Sequence, residues 1–348
     1  MRTMDPPALR PLMPLLVANR DFVLGGGEVG LRLLVRDLVA RGHAPVVAVP
    51  GPRGLIGRGD EHVIPAVLPG AAAALSQLAA RCDLVHVFSN RSALMAILAR
   101  TRKPLVVHAL VPPPDAYDAI VVSFADAIIT NSRATARRFE PGTARVIYNG
   151  VPHPRPVESR LDLRPGRRTI VIVGNLAPRK GQMDALPALE QVMAERDDVD
   201  VAFAGHAVGP IALALTERAA TSHGRLRLLG FVPDIADHLG EFALVVVPSR
   251  SEGFGRVAVE ALRAGVPVLA TRVEGLEEAL QDHRDPWLPE ARDAWAARIL
   301  RELDTPTCGS DALRAAARRF DPDRYTDEIV ACYRDVVARS TDAVRLRG

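Results

Sequence analysis

Aromatic residues are scarce in this chain of 348 residues, at 4%. Its cores must therefore be aliphatic, built from Ala, Val, Leu and Ile. Cysteine is scarcer still: Cys82, Cys308 and Cys332 are scattered, with no C-x-x-C pair and no metal-ligand spacing. That argues against a disulfide framework and a cysteine zinc site, and for a reducing compartment. No apolar run approaches the roughly 20 residues that a membrane helix needs. Leu12 to Ala18 is apolar but lacks a small-residue cleavage site after it, so it reads as a first strand rather than a signal-peptide core. A cytoplasmic protein is expected, with peripheral membrane contact left open. A dominant charge is also missing, since 44 Lys and Arg face 41 Asp and Glu for a net +3. Most of the cations are Arg, and the balance builds no field for nucleic acid. What remains is 48% hydrophobic and 24% charged, a globular composition. The length suits two domains better than one.

Short β-branched runs alternate with amphipathic stretches almost from end to end. The strand candidates are 12–19, 44–49, 84–88, 105–108, 127–130 and 145–148, then 169–173, 200–204, 227–229, 244–247 and 266–270. They lack polar alternation, as strands covered on both faces do. Asn90 and Ser92, then Asn131 and Ser132, are candidate helix caps. Repeated βα units predict an α/β protein with doubly wound parallel sheets. The pattern lapses over 149–168, where Pro152, Pro154 and Pro156 rule out a helix interior. This divides the chain into domains at 1–155 and 156–322, with a last helix at 323–348. Ligands of such sheets bind at the carboxyl ends of the strands, so facing halves place a site in the cleft between them.

Three glycine-bearing turns could carry chemistry. Gly25 to Gly30 formally satisfies G-x-G-x-x-G and opens a helix near Glu28, where backbone can approach phosphate. It sits too far after the strand end near Asn19 for a dinucleotide fingerprint. The second strand also lacks the ribose-binding acid, and Arg53 is thin support for a 2′-phosphate. A plain tight turn remains the alternative. Gly174, at the end of the run 169–173, begins a turn that carries Asn175, Arg179 and Lys180 to a helix start, where cations can meet a diphosphate. Two solvated loop cations are the bland reading. The segment from Pro248 to Ala261 leaves a buried strand and enters a helix near Gly255. Glu252 lies in the loop and Glu260 in the helix. Such carboxylates suit sugar and ribose hydroxyls; singly, each also suits a helix N-terminus. Asp198-Val199-Asp200 is formally D-x-D but precedes its strand, so it reads as solvated charge.

Glu252 and Glu260, seven residues apart inside Pro-Ser-x-x-Glu-Gly-Phe-Gly-x-x-x-x-Glu-Ala, resemble the E-x7-E motif of retaining glycosyltransferase family 4. Further landmarks fall in order across roughly residues 14–280. They include Gly25-Gly26-Gly27-Glu28, Arg41-Gly42-His43, Val106-Val107-His108, Ile129-Thr130-Asn131-Ser132, Leu229-Gly230-Phe231-Val232 and Ala264-Gly265-Val266-Pro267-Val268. The resemblance implies the GT-B fold, a nucleotide-sugar donor held mainly by the second domain, and retention at the anomeric carbon. It implies Glu252, His108 and Lys180 as catalytic residues. It implies Gly26, Gly27, Gly174, Asn175, Arg179, Lys180, Phe231, Gly253, Phe254, Gly255 and Glu260 at the donor. His86, inside its strand, reads as structural. The last helix would pack back on the first domain. No cofactor or metal is expected; the nucleotide sugar, with UDP the default, is a substrate. The acceptor would be a saccharide, lipid-linked or natural-product hydroxyl.

Three positions depart from that family: Asn175 stands where an Arg is usual, with Arg179 a candidate replacement; Gly205-His206-Ala207 replaces Gly-x-Gly; and Glu274-Gly275 replaces paired glycines. They keep a rival alive, a degenerate relative that binds nucleotide or supports a partner without transfer. An epimerase or phosphorylase acting on the nucleotide sugar alone, and a nicotinamide oxidoreductase, are further rivals.

Overall fold

The computed structural model describes residues 10–18, 26–51, 61–65 and 70–345. Asn19, Gly25 and Arg53 lie outside them. The first half runs β1 (Pro14–Val17), α1 (Gly26–Ala40), β2 (Val46–Pro50), β3 (Glu61–Ile64), α2 (Gly70–Ala80), β4 (Leu84–Val87), α3 (Asn90–Leu98), β5 (Leu105–Ala109), α4 (Asp118–Phe124), β6 (Ala127–Thr130), α5 (Arg133–Ala136) and β7 (Ala144–Val146). The second runs β8 (Arg168–Val173), α6 (Gln182–Glu195), β9 (Val199–Ala204), α7 (Pro210–Thr221), β10 (Leu226–Gly230), α8 (Ile235–His238), β11 (Leu244–Val247), α9 (Arg256–Ala264), β12 (Val268–Ala270), α10 (Glu274–Ala279), α11 (Trp295–Asp304), α12 (Ser310–Ala316) and α13 (Pro322–Arg345). Among the described residues these form two sheets, ordered β3-β2-β1-β4-β5-β6-β7 and β10-β9-β8-β11-β12. Every pairing is parallel.

The strands lack polar alternation because each face of each sheet has its own core. In the first sheet Leu15, Val85 and Val107 face the α2–α3 side, while Leu16, Leu84 and Val106 face α1 and α13. In the second, Ile170, Val201 and Val246 pack against α6 and α11, and Val171, Ala202 and Val245 against α9. The two faces read successive residues, so apolar runs are required at period one rather than two. Helix α13 returns to the first sheet. Tyr325, Ile329, Cys332, Tyr333 and Val336 line one stripe of it and are buried in the core that contains Leu16 and Ile129. Each such side chain contributes about 1.5–3 kcal/mol by burial.

Some local expectations needed correction. Ser89, not Asn90 or Ser92, caps α3, accepting from the Ser92 N–H at 3.1 Å; Ser132 caps α5 by accepting from the Thr135 N–H at 2.9 Å. The edge strand β3 was not anticipated, because Glu61 and His62 break its apolar pattern. Asp200 is not solvated: it is buried within β9 and accepts from Arg164 Nε and Arg167 Nε, each at 2.7 Å. Burial would raise its pKa, but these hydrogen bonds outweigh that and hold it below the usual carboxylate range. It anchors the end of the segment between the sheets. Val151, in the same segment, is buried, and its N–H donates to the Phe320 carbonyl at 2.9 Å.

Candidate functional site

Strand order turns outward at β1/β4 in one sheet and at β8/β11 in the other. A doubly wound sheet opens a crevice at such a switch point, beyond the strand carboxyl ends. The two crevices face each other across one cavity of about 540 Å³. Its lining includes Gly26, Gly27, His108, Gly174, Asn175, Arg179, Lys180, Phe231, Glu252, Gly253, Phe254, Gly255 and Glu260. Every residue named from the sequence as catalytic or donor-binding therefore meets at one cavity.

The loop after β11 forms its floor. Gly255 precedes α9 at φ +79°, and a Cβ there would lie 2.4 Å from Leu276 Cδ2, so only glycine brings the chain into the helix at this angle. The N–H groups of Arg256 and Val257 at the start of α9 have no partners within the helix, while that of Ala258 donates to the Gly255 carbonyl at 2.9 Å. A Cβ at Gly253 would lie 2.0 Å from the Leu110 carbonyl oxygen and 3.1 Å from Asn131 Nδ2, so this loop touches the first unit directly. The Phe254 ring is buried, edge-on to Phe320 at 5.0 Å.

Five charged side chains sit around that floor. Lys180 Nζ donates to Glu252 Oε1 at 2.5 Å, and Ser249 Oγ donates to the same oxygen at 2.8 Å. Lys180 is one of only two lysines in the chain, among cations that are otherwise all arginine. Arg179 is 57% exposed, 3.9 Å from Glu252 Oε2. Glu260 is buried, and Arg256 Nε donates to its Oε1 at 2.7 Å. Burial pushes the Glu260 pKa up, and Arg256 opposes that shift. Asn175 lends its carbonyl to Gln182 Nε2 at 3.1 Å. The ring of Phe231 stacks on His206 at 4.2 Å.

The first unit supplies side chains. His108, at the end of β5, is buried against the cavity, and neither ring nitrogen has a partner among the described residues. Burial lowers its pKa to about 3, so it meets a ligand as neutral imidazole. Its ring stacks on His86 at 5.5 Å, and His86 Nδ1 is hydrogen-bonded to Tyr333 Oη at 2.6 Å. Arg138 also lines the cavity, but Asp118 and the Val111 carbonyl hold it.

Sequence reasoning missed Arg256, Asn131 as a cavity residue, and the Arg138–Asp118 pair. The signal for Arg256 was available: it lies four residues before Glu260 on one helix face. It also missed how the units are joined. Glu278 on α10 accepts from the Arg133 N–H at 2.9 Å, the Ala134 N–H at 2.7 Å and Tyr148 Oη at 2.7 Å.

Comparison with known proteins matches both halves. Residues 24–155 match the profile described as "Glycosyltransferase Family 4", and residues 167–305 match "Glycosyl transferases group 1". The chain is 31% identical over 289 residues to a D-inositol 3-phosphate glycosyltransferase of Acidothermus cellulolyticus, covering 73% of this chain and 63% of that protein. It is 28% identical over 328 residues to D-inositol 3-phosphate glycosyltransferase 1 of Catenulispora acidiphila, covering 80% and 78%. The chain thus spans just under two thirds of the length of the Acidothermus relative. Among solved structures it resembles Anabaena HepE in complex with UDP-glucose, with a TM-score of 0.78, 21% identity, and coverage of 92% of this chain and 99% of that one. The fold is GT-B.

Proposed function

The chain belongs to glycosyltransferase family 4, and from that premise we propose that it moves a hexose-type sugar from a nucleoside-diphosphate sugar to an acceptor hydroxyl, with retention. The observation that carries this is the meeting of Lys180, Glu252, Glu260, the α9 first turn and His108 at a single cavity between two sheet switch points. UDP is the favoured carrier, in keeping with the UDP-glucose bound by the HepE neighbour. A small polyol, saccharide or lipid-linked acceptor would enter from the first unit's side; the relatives' names point to an inositol phosphate.

Each group has a task in this reading. Glu260 accepts from the ribose hydroxyls. The α9 N–H groups and Lys180 bind the diphosphate. Glu252, oriented by Lys180 and Ser249, accepts from a hydroxyl of the transferred sugar. As the anomeric C–O bond breaks, its electron pair passes to the diphosphate and positive charge grows on the sugar ring. Fixed cations and N–H dipoles stabilise that charge separation in a shielded cleft. The acceptor oxygen attacks the same face that the diphosphate leaves, and its proton passes to a diphosphate oxygen. His108, neutral, hydrogen-bonds a sugar hydroxyl and is not the proton source near neutral pH. The scheme needs no metal.

The test is to incubate the protein with UDP-, GDP- and ADP-sugars and a panel of polyol, inositol phosphate, saccharide and lipid-linked acceptors, and to measure released nucleotide and glycosylated product. Acceptor-dependent release with a product of retained configuration is expected. Tight nucleotide binding without transfer from any donor would overturn the reading in favour of a binding-only relative, the alternative that Asn175 motivates.

A further inference from the structure

A nucleoside diphosphate carries at least two negative charges, and the cations that line this cavity from the second unit are Arg179, Lys180 and Arg256. Lys180 is shared with Glu252 at 2.5 Å. Arg179 points outward, its side chain more than half exposed, and Asn175 brings no charge to the turn that leads to Lys180. Arg256 is placed otherwise. Its side chain is 9% exposed, Nε donates to Glu260 Oε1 at 2.7 Å, and Nη1 donates to the Gly150 carbonyl at 3.2 Å. A Cβ on Gly26, the first residue of α1, would lie 3.7 Å from Arg256 Cδ and 3.9 Å from its Cβ. Arg256 is therefore wedged where the first turns of α1 and α9 approach each other. At the start of α9 the N–H groups of Arg256 and Val257 are unpaired within the helix, a natural place for phosphate. The guanidinium is planar and carries several donors, so one nitrogen can stay on a carboxylate while others turn to a second anion.

We propose that Arg256 is the second cation of the nucleotide site, keeping Nε on Glu260 while its Nη groups take a diphosphate oxygen. Ribose and phosphate recognition are then joined through one side chain. Charge that the turn after β8 lacks at Asn175 is supplied from the start of α9 rather than from Arg179. The inference rests on the nucleotide-sugar reading of the site.

Titration calorimetry with wild type, Arg256→Met, Arg256→Lys and Arg179→Met tests it, using UDP, UMP and uridine, or the matching ADP, GDP or CDP series if one of those bases binds wild type better. In Arg256→Met the diphosphate is expected to bind about tenfold more weakly or worse, as loss of a charge-assisted hydrogen bond implies. The loss should shrink from diphosphate to monophosphate to nucleoside. Arg256→Lys, which keeps the charge without the fork and guards against a folding defect, should recover part of it. Arg179→Met should lose less than Arg256→Met. Equal losses for diphosphate and nucleoside would confine Arg256 to holding Glu260 and overturn the proposal, as would a larger loss in Arg179→Met. If wild type binds no nucleotide in any series, the nucleotide-sugar reading itself falls and takes this proposal with it.

Discussion

The two units meet the cavity by different means. The five-stranded unit brings glycine-bearing turns to it, at Gly174, Gly205, Gly253 and Gly255, with the first turn of α9 and the charged side chains of Arg179, Lys180, Glu252, Arg256 and Glu260 set among them. Apart from the start of α1, the seven-stranded unit presents side chains: His108, Asn90, Asn131, Arg138, Asp115 and Val111. Backbone recognition suits a ligand part that stays the same, such as a diphosphate. Side-chain recognition is easily altered by substitution and suits the part that differs from one protein to the next. On this account the second unit holds the donor and the first aligns the acceptor.

The sharpest way to break that division is to remove the charges of the second unit. Lys180→Ala and Glu252→Ala are expected to lower kcat/KM by about 10²–10³-fold, the usual effect of deleting one preorganised electrostatic contact. A transfer assay on variants shown by circular dichroism to be folded would measure this. Unchanged transfer would remove both residues from the chemistry. Next comes the backbone itself. Gly255→Ala places a Cβ at φ +79° against Leu276 and should destabilise the protein by about 2–4 kcal/mol in urea unfolding, with loss of donor binding.

A first-unit substitution should behave differently. His108→Ala should reduce kcat by about 10- to 100-fold, the range of one or two hydrogen bonds, while nucleoside diphosphate affinity stays within about threefold. A matching loss of nucleotide affinity would erase the distinction between the units. Smaller again is the joint between them. Glu278→Ala removes three cross-unit hydrogen bonds and should cost about 1–2 kcal/mol, read as a lower thermal midpoint.

The smallest effect near neutrality is on pH. Burial is the leading cause that holds His43, His86, His108 and His283 below their ordinary pKa. The unfolded chain takes up these protons near pH 6.5 and the folded chain does not. Stability is therefore full above about pH 6.5 and falls as pH drops below it, by up to about 1.4 kcal/mol per pH unit for each fully buried group. Glu260, with its raised pKa, runs the other way. Urea midpoints at pH 7, 6 and 5 would show the trend, and His86→Phe, which removes one of the titrating groups, should flatten it.

The difference between the units also decides what could be read from sequence. The loops of the second unit are legible because backbone recognition needs glycine at fixed spacing, and Glu252 and Glu260 stand within that frame. Strand positions were legible to within a residue or two wherever both sheet faces are covered. In the first unit's cavity wall His108, Gly26 and Gly27 were legible, but Asn131 and Arg138 were not, because the chain just after β6 and α5 and Asp118 of α4, which holds Arg138, are brought together by folding alone. The Glu278–Tyr148 joint was hidden for the same reason, since its partners are 130 residues apart in the chain. Asp200 misled because a charge at the start of a strand looks solvated until Arg164 and Arg167 are seen to cover it.

The central claim is that the second unit grips a nucleoside diphosphate through Glu260 and the backbone around it. Thermal shift of wild type and Glu260→Gln against UDP, GDP, ADP and CMP and their common sugars tests it most directly. One nucleotide series should raise the wild-type midpoint by several degrees, as expected for ligand well above its Kd, and raise that of Glu260→Gln much less. No stabilisation of wild type by any of them, or equal stabilisation of both proteins, would contradict the account.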